Sequence, residues 1–592
     1  MLEELRGRIV YFYFTLVVLL AILLFTLMRL QIVRGDEYLK MSVKNRVRVY
    51  RVRPVRGRIL DRNGVPLAIN KPSFNLYLLA DDVGRDQWKG LRDELQRLLR
   101  ISPEKLEERI SDAKKNPAVA CLIKRDLSER EVAMVAEREW MLPGVILSPE
   151  EKRFYPNGSL AAHVLGYMGE VSSKELEQGR FWGGDMIGKT GIERQYDDIL
   201  RGVGGWEQWE VDARRKKVRL VNQSKPIPGK DIRLTIDIRL QREAENLLRH
   251  KVGAIVAMDP SNGEILAMAS SPAYDPNLFA KALSPRQWRR LVKNPNHPLQ
   301  NRAIQGLYSP GSIFKVVVGL AGLQEGVITP RTTEICKGVY YFKNRKYRCW
   351  KRGGHGVVRL HKAIVESCDI YFYKLGERLT VDRMGRYARM LGLGSRTGID
   401  LPHESRGFVP SRQWKKRRRG MVWFPGEDLI MGIGQGYLLV TPLQIAHLMA
   451  TVGEMGRFVT PHLLLSPERD FPSKQLPLKR SFLQIMVRAL RGVVEEEHGT
   501  AHLARVEGIP VAGKTGTVQV VHQKIPHTKM EEIPYKMRDH AWFAAFAPVG
   551  NPRIAVAAIV EHGGHGGSGA APLVGKLISF YLKGEEPGGD GE

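Results

Sequence analysis

The run of apolar and polar positions divides the chain into an anchor, an irregular first half and a strongly patterned second half. Ile9 to Met28 passes 20 residues without a charge, with Arg6 and Arg8 before it and Arg29 and Arg34 after it. At about 1.5 Å per residue such a helix crosses a hydrocarbon layer of ~30 Å. The run is too long for the apolar stretch of a cleaved signal, and no small-x-small cleavage site follows. It predicts an uncleaved transmembrane helix over 9–29 behind a short tail at 1–8. Val43 to Val55 alternates basic residues and Asn with Val and Tyr, the period of a strand. Arg56 to Gly64 ends in Asn63-Gly64 and predicts a hairpin with a charged network. Residues 80–150 predict helices. Leu91, Leu95, Leu98 and Leu99 form one stripe, Ser102-Pro103 is a helix start, and Ser128 with Glu131 is a capping box. Residues 151–225 return to loops and strands. The Gly188-Lys189-Thr190-Gly191 stretch lacks the glycine spacing and the leading strand of a phosphate loop. Gly202 to Gly205 and the basic stretch to Lys230 read as a connector.

The composition shifts near Ile232. Ala254–Met258 and Glu264–Met268, joined by Pro260-Ser261-Asn262-Gly263, predict a hairpin. A Pro310-Gly311 turn delivers Ser312 to a helix reaching about Gln324, buried through Val316, Val317, Val318 and Leu320. A further helix is predicted from Leu360 to about Leu379, and a strand over Val518-Gln519-Val520-Val521. At 592 residues the chain is too long for one core. Its net charge of +29 raises the question of nucleic acid. A chain exported behind a membrane helix does not meet nucleic acid, and the charge fits anionic lipid and lipid-linked glycan.

Three short patterns carry chemistry, in this order: Ser312-x-x-Lys315, Ser367-Cys368-Asp369 and Lys514-Thr515-Gly516-Thr517. A serine is a poor nucleophile until a base stands within hydrogen-bond reach, and Lys315, one turn on, shares its face. Burial lowers a lysine's pKa and fits it for that task. Ser367 can relay a proton to a leaving amine. Lys514 offers a fixed positive charge, and Thr515 and Thr517 offer hydroxyls to a substrate carboxylate. The amides of Ser312 and Thr517 could form an oxyanion hole.

The ordered trio resembles the penicillin-binding protein and serine β-lactamase superfamily. The anchor, Arg56 to Gly64, Arg153 to Tyr167, Gly432 to Tyr437 with Thr441 to Gln444, His540 to Phe543 and Glu561 to Gly564 narrow the resemblance. They point to class B penicillin-binding proteins of the cell-elongation type, over nearly the whole chain. Asp369 stands where division-type relatives usually carry asparagine. The resemblance implies an α/β transpeptidase domain, an antiparallel sheet flanked by helices, over 233–582. An elongated α+β pedestal over 30–232 precedes it, with a helical head at about 80–150, and a flexible tail follows at 583–592. It implies a serine D-Ala-D-Ala transpeptidase that cross-links peptidoglycan stem peptides through an acyl-enzyme and is a target of β-lactams. Catalytic residues are Ser312, Lys315, Ser367, Asp369 and Lys514, with Thr515, Gly516 and Thr517 binding substrate. Expected partners are a SEDS-family (RodA-like) glycan polymerase and an MreC-like scaffold, at the inner membrane with the N-terminus cytoplasmic. A D,D-carboxypeptidase, or a β-lactam-binding sensor or scaffold, is the alternative on the same fold. The acceptor amine is not readable from these patterns.

No cofactor is expected for the chemistry. Cys336, Cys349, His355 and Cys368 follow the spacing Cys-x12-Cys-x5-His-x12-Cys. Three thiolates and an imidazole suit tetrahedral zinc in a structural role. A Cys336–Cys349 disulfide with a merely buried Cys368 is the alternative. Cys121 reads as a buried thiol.

Overall fold

The computed structural model describes residues 2–38, 47–115, 117, 119–212, 217–280, 283–466, 471–519 and 533–584. The first residues of the strand expected at Val43–Val55, the Val520-Val521 end of the later one and most of the tail lie outside them. The chain forms two compact units.

The first unit comprises Met1–Arg56, Phe74–Glu150 and Arg201–Gly229. Its N-terminal helix, Leu2–Met28, continues as a wider turn at Arg29–Val33. Among the described residues this is the one helix long and apolar enough to cross a membrane. Val47–Val52, Gly205–Val211 and Lys217–Ser224 form an antiparallel three-stranded sheet. Helices Trp88–Leu99, Pro103–Lys115 and Glu129–Glu137 make the head, with the leucine stripe of the first fully buried. Ser128 and Glu131 close the capping box. The helical pattern is interrupted at Cys121–Lys124, a strand paired with Leu76–Leu78. A strand of four residues is too short to show a period, and here it sits under the helices through Ile123. Cys121 is half-buried rather than buried, as a free thiol.

The second unit comprises Gly57–Ser73, Glu151–Leu200 and Lys230–Glu592. The Arg56–Gly64 hairpin is a turn closed by Asp61, whose Oδ1 accepts from the amides of Asn63 and Val65 at 2.8 and 2.7 Å. A buried ion pair joins Arg153 to Glu193 at 2.6 Å. The Gly188–Gly191 stretch is a backbone junction, not an anion cradle. Lys189 is paired with Glu175 at 2.5 Å.

A five-stranded antiparallel sheet forms the centre of this unit. Its strands are β1 (Gly253–Met258), β2 (Ile265–Ser271), β3 (Ala512–Val518), β4 (His540–Ala547) and β5 (Ile554–Val560), in the order β2-β1-β5-β4-β3. β4 and β5 are buried along almost their whole length, which accounts for their unbroken apolar sequence. Helices Ile238–Leu247, Pro442–Gly453 and Ala571–Lys583 flank the sheet. α1 (Lys315–Gln324) packs along α2 (Asp369–Met390), and α3 (Arg412–Arg419) lies further along the chain. The strand β3 forms one edge of the sheet, so one row of its backbone groups is left for a ligand.

Candidate active site

The sequence places Ser312 where the backbone forces it forward. Gly311–Phe314 is a single 3-10 turn that runs directly into α1. Gly311 has φ +53°, and a Cβ there would lie 2.8 Å from the carbonyl oxygen of Thr517. A Cβ on Gly516 would lie 2.8 Å from the carbonyl oxygen of Pro310. Both positions demand glycine because the serine turn and the edge strand β3 meet backbone to backbone. Tyr308 and Arg302 secure the approach to the turn: both donate to Glu561 Oε1, at 2.7 and 2.8 Å. Burial alone would raise the Glu561 pKa, but these bonds outweigh it and hold the carboxylate ionised.

Lys315 lies one turn beyond the serine with none of its side chain exposed. Its ammonium reaches Asp369 Oδ1 at 2.7 Å, the Ser367 carbonyl at 2.9 Å and Ser367 Oγ at 3.2 Å. The helix expected from Leu360 to Leu379 does not run through the middle motif. It stops at Val365, and α2 begins at Asp369. Ser367, in the gap, has φ +54°, a conformation costly for a residue with a Cβ. That break turns both the Ser367 hydroxyl and its carbonyl onto Lys315, which an unbroken helix would not do.

Lys514 sits on β3, fully buried, with only long contacts of 3.4 Å to the carbonyl and hydroxyl of Thr515. Burial, and then the charge of Lys315, push its pKa well below the ordinary lysine range, while Asp369 acts the other way. The pocket therefore encloses two basic groups for one carboxylate. The Thr517 hydroxyl accepts from the Gly566 amide at 3.3 Å, and the Thr515 hydroxyl shares a hydrogen bond with Thr500 at 2.9 Å.

Two features carry no sequence signal. Thr500 is an ordinary loop residue. The Trp350 amide donates to Asp369 Oδ2 at 2.9 Å, so the carboxylate is held on both oxygens. A backbone donor leaves no mark on residue type.

Trp350 follows Cys349, and that loop brings the Cys/His group to the same place. The donor atoms of Cys336, Cys349, His355 and Cys368 lie within 4.8 Å of one another, all buried. Nδ1 of His355 stands 3.5 Å from both Cys336 and Cys349 sulfurs. Tetrahedral zinc with Zn–S near 2.3 Å sets ligand atoms about 3.7 Å apart, so small side-chain shifts close the shell. His355 Nε2 is buried with no hydrogen-bond partner, and Glu366 lies 3.9 Å from it, in the place of an outer carboxylate. All three are free thiols, so the disulfide alternative is not formed. A hydrogen bond from Cys368, assisted by His355, pulls the Cys349 thiol well below the ordinary thiol range, and the same bond raises Cys368.

A serine one turn before a buried lysine, a relay serine and an edge-strand lysine on a helix-flanked antiparallel sheet define an acyl-transfer enzyme of the active-serine type. Residues 253–579 match the model for the penicillin-binding protein transpeptidase domain, and 51–234 that for the penicillin-binding protein dimerisation domain. The chain belongs to the penicillin-binding protein transpeptidase family. More particularly, it is 37% identical to the peptidoglycan D,D-transpeptidase MrdA of Acinetobacter baumannii, over 98% of this chain and 88% of that one. Among solved structures it is similar to penicillin-binding protein 2 of Helicobacter pylori in complex with MreC. That match has 33% identity and a TM-score of 0.80, over 91% of this chain and 99% of that one. It is also similar to a chain from a peptidoglycan synthase complex that coordinates polymerisation and cross-linking, with 31% identity and a TM-score of 0.72, over 98% and 99%.

Proposed function

We propose that this protein is a peptidoglycan D,D-transpeptidase of the penicillin-binding protein 2 type, acting by a serine acyl-enzyme. The observation that carries the reading is the three-way contact of buried Lys315 with Ser367 and Asp369, one turn behind Ser312. Ser312 Oγ attacks the carbonyl carbon between two D-alanines of a stem peptide, and its proton passes to Lys315. Lys315, buried and one turn on, is the base that takes it. The amides of Ser312 and Thr517 receive the oxyanion. The C–N bond then breaks, and the proton returns through Ser367 to the departing D-alanine amine. An amine of a second stem peptide attacks the ester, regenerates Ser312 and completes the cross-link. Lys514, Thr515 and Thr517 hold the substrate carboxylate, and Gly516 lets it approach β3.

The chemistry needs no cofactor. Cys336, Cys349, His355 and Cys368 would hold a structural zinc, which would supply rigidity and no reacting group. By likeness to the complexes above, an MreC-like scaffold and a SEDS-family glycan polymerase are the partners. Residues 9–29 anchor the chain in the inner membrane with the N-terminus cytoplasmic. Residues 30–232 form the pedestal and 233–582 the transpeptidase domain.

Labelling with a fluorescent penicillin tests the reading. Wild type is expected to take up a covalent label and Ser312→Ala none. Label on the alanine variant, or none on folded wild type, overturns it.

A further inference from the structure

The α3 helix, Arg-Gln-Trp-Lys-Lys-Arg-Arg-Arg, has no part in the site described above. Its inner side is clamped. Ser411 caps it by accepting from the Trp414 amide at 3.1 Å. Lys415, 1% exposed in its side chain, reaches both oxygens of Glu427 at 2.6 Å. Trp414 packs between Phe408 and Tyr437, at 4.6 and 5.2 Å between ring centres.

The outer side is the reverse. Lys416, Arg417, Arg418 and Arg419 are all exposed, and among the described residues none of them pairs with a carboxylate. A cation in the last turn of a helix gains from the helix dipole. Four in succession spread positive charge around most of the exposed circumference of the helix end. The chain then leaves through Gly420 into Met421, Val422 and Phe424, which are 47, 64 and 50% exposed. An exposed cationic helix end with an apolar border is a surface suited to an anionic partner.

The same segment continues to the nucleophile. The Gly434 carbonyl accepts from the Gly311 amide at 3.0 Å, and the Leu438 carbonyl accepts from Ser309 Oγ at 3.2 Å. We infer that this face docks a peptidoglycan strand, its cations meeting the free carboxylates of uncross-linked stem peptides and its apolar border meeting the sugar faces. The inference rests on the transpeptidase reading, which supplies that polymer as substrate and product.

Co-sedimentation of the detergent-solubilised full chain with intact peptidoglycan sacculi tests it. Wild type is expected to sediment. Binding is expected to fall about fivefold or more for the combined Lys416→Gln, Arg417→Gln, Arg418→Gln variant, since three exposed ion pairs are lost. It should fall likewise for wild type on sacculi whose carboxyls have been amidated, and on addition of salt. Arg418→Glu alone serves if the triple variant does not fold. Unchanged sedimentation of a folded variant, or equal binding to amidated sacculi, overturns the inference. So does loss of binding to phosphatidylglycerol vesicles with sacculus binding intact, which would assign the face to lipid. Penicillin labelling of the same samples separates this failure from failure of the catalytic reading, because these residues lie outside the labelled site.

Discussion

Two buried clusters of ionisable side chains lie side by side in the second unit, and they are built on opposite principles. The Lys315–Ser367–Asp369–Lys514 cluster holds two basic groups against one carboxylate, with Ser367 on a strained backbone and Lys514 nearly without partners. The Cys336–Cys349–His355–Cys368 cluster gathers three thiols and an imidazole within 4.8 Å of one another. The first holds two amines close enough that each disfavours the other's charge. The second is a set of donors whose thiols a bound cation would neutralise. They meet at Asp369, which takes Lys315 on one oxygen and the Trp350 amide, next to Cys349, on the other. The loop that carries Cys349 therefore reaches the first cluster through one hydrogen bond.

The contrast is broken most sharply by removing charge from the first cluster. Lys514→Met is expected to slow penicillin acylation by about 10³-fold, the usual scale for losing a proton-transfer or charge-stabilising group. It should leave the melting temperature unchanged or raise it, because a buried amine with weak contacts is replaced by an apolar chain of similar length. A clear fall in melting temperature would show that Lys514 is a structural ion and not a stored charge.

The second cluster is expected to respond with the opposite sign. Cys349→Ser, or prolonged chelation of wild type, should lower the melting temperature by about 5 °C or more. Acylation should fall only about tenfold, as Asp369 loses the loop that holds it. Elemental analysis should find one zinc per chain in wild type and less in the variant. Full zinc in Cys349→Ser, or a variant as stable as wild type, would remove the structural role.

What the sequence shows of these clusters depends on whether the determinant is a side-chain type or a backbone event. Ser312, Lys315 and Lys514 are legible because a Pro-Gly turn, an apolar helix and a run of small residues surround them. The four zinc-type donors are legible by residue type, though their spacing is loose. The break at Ser367 is not, since the apolar pattern on either side continues and one residue with positive φ is specified only by what it contacts. The strand order β2-β1-β5-β4-β3 is equally hidden, because β1 and β5 pair across some three hundred residues of intervening chain. The head shows the same limit in miniature, where Cys121–Lys124 is strand by virtue of its partner and not its pattern.

Acid separates loss of the fold from loss of the site. Burial lowers His447 to about 4, and the ring packs against Phe458 at 4.2 Å between centres. A histidine depressed in the folded state is protonated first in the unfolded chain. Stability is therefore complete above the ordinary histidine value near 6.5 and is lost as pH falls towards 4. The loss is about 3 kcal/mol by the end of that window. His163, also lowered to about 4 by burial, adds in the same direction. His447→Gln should flatten the melting-temperature profile between pH 6.5 and 4.5 without altering acylation at pH 7.5. An unaltered profile would place the acid-sensitive group elsewhere.

The smallest effect tests how far the site extends along the edge strand. Thr500 contributes nothing to either cluster, yet its hydroxyl meets that of Thr515 at 2.9 Å. A partner at that distance restricts how the Thr515 hydroxyl can turn, and the transpeptidase reading gives that hydroxyl the substrate carboxylate to receive. Thr500→Val keeps the shape and removes the partner. One hydrogen bond of ~0.5–1.5 kcal/mol corresponds to roughly a three- to tenfold fall in acylation by a carboxylate-bearing penicillin. The same variant should acylate at the wild-type rate with an ester of that penicillin, which has no anion for Thr515 to receive. Thr500→Ser should restore the rate. An equal loss with acid and ester would mean that Thr500 supports β3 generally and does not orient Thr515.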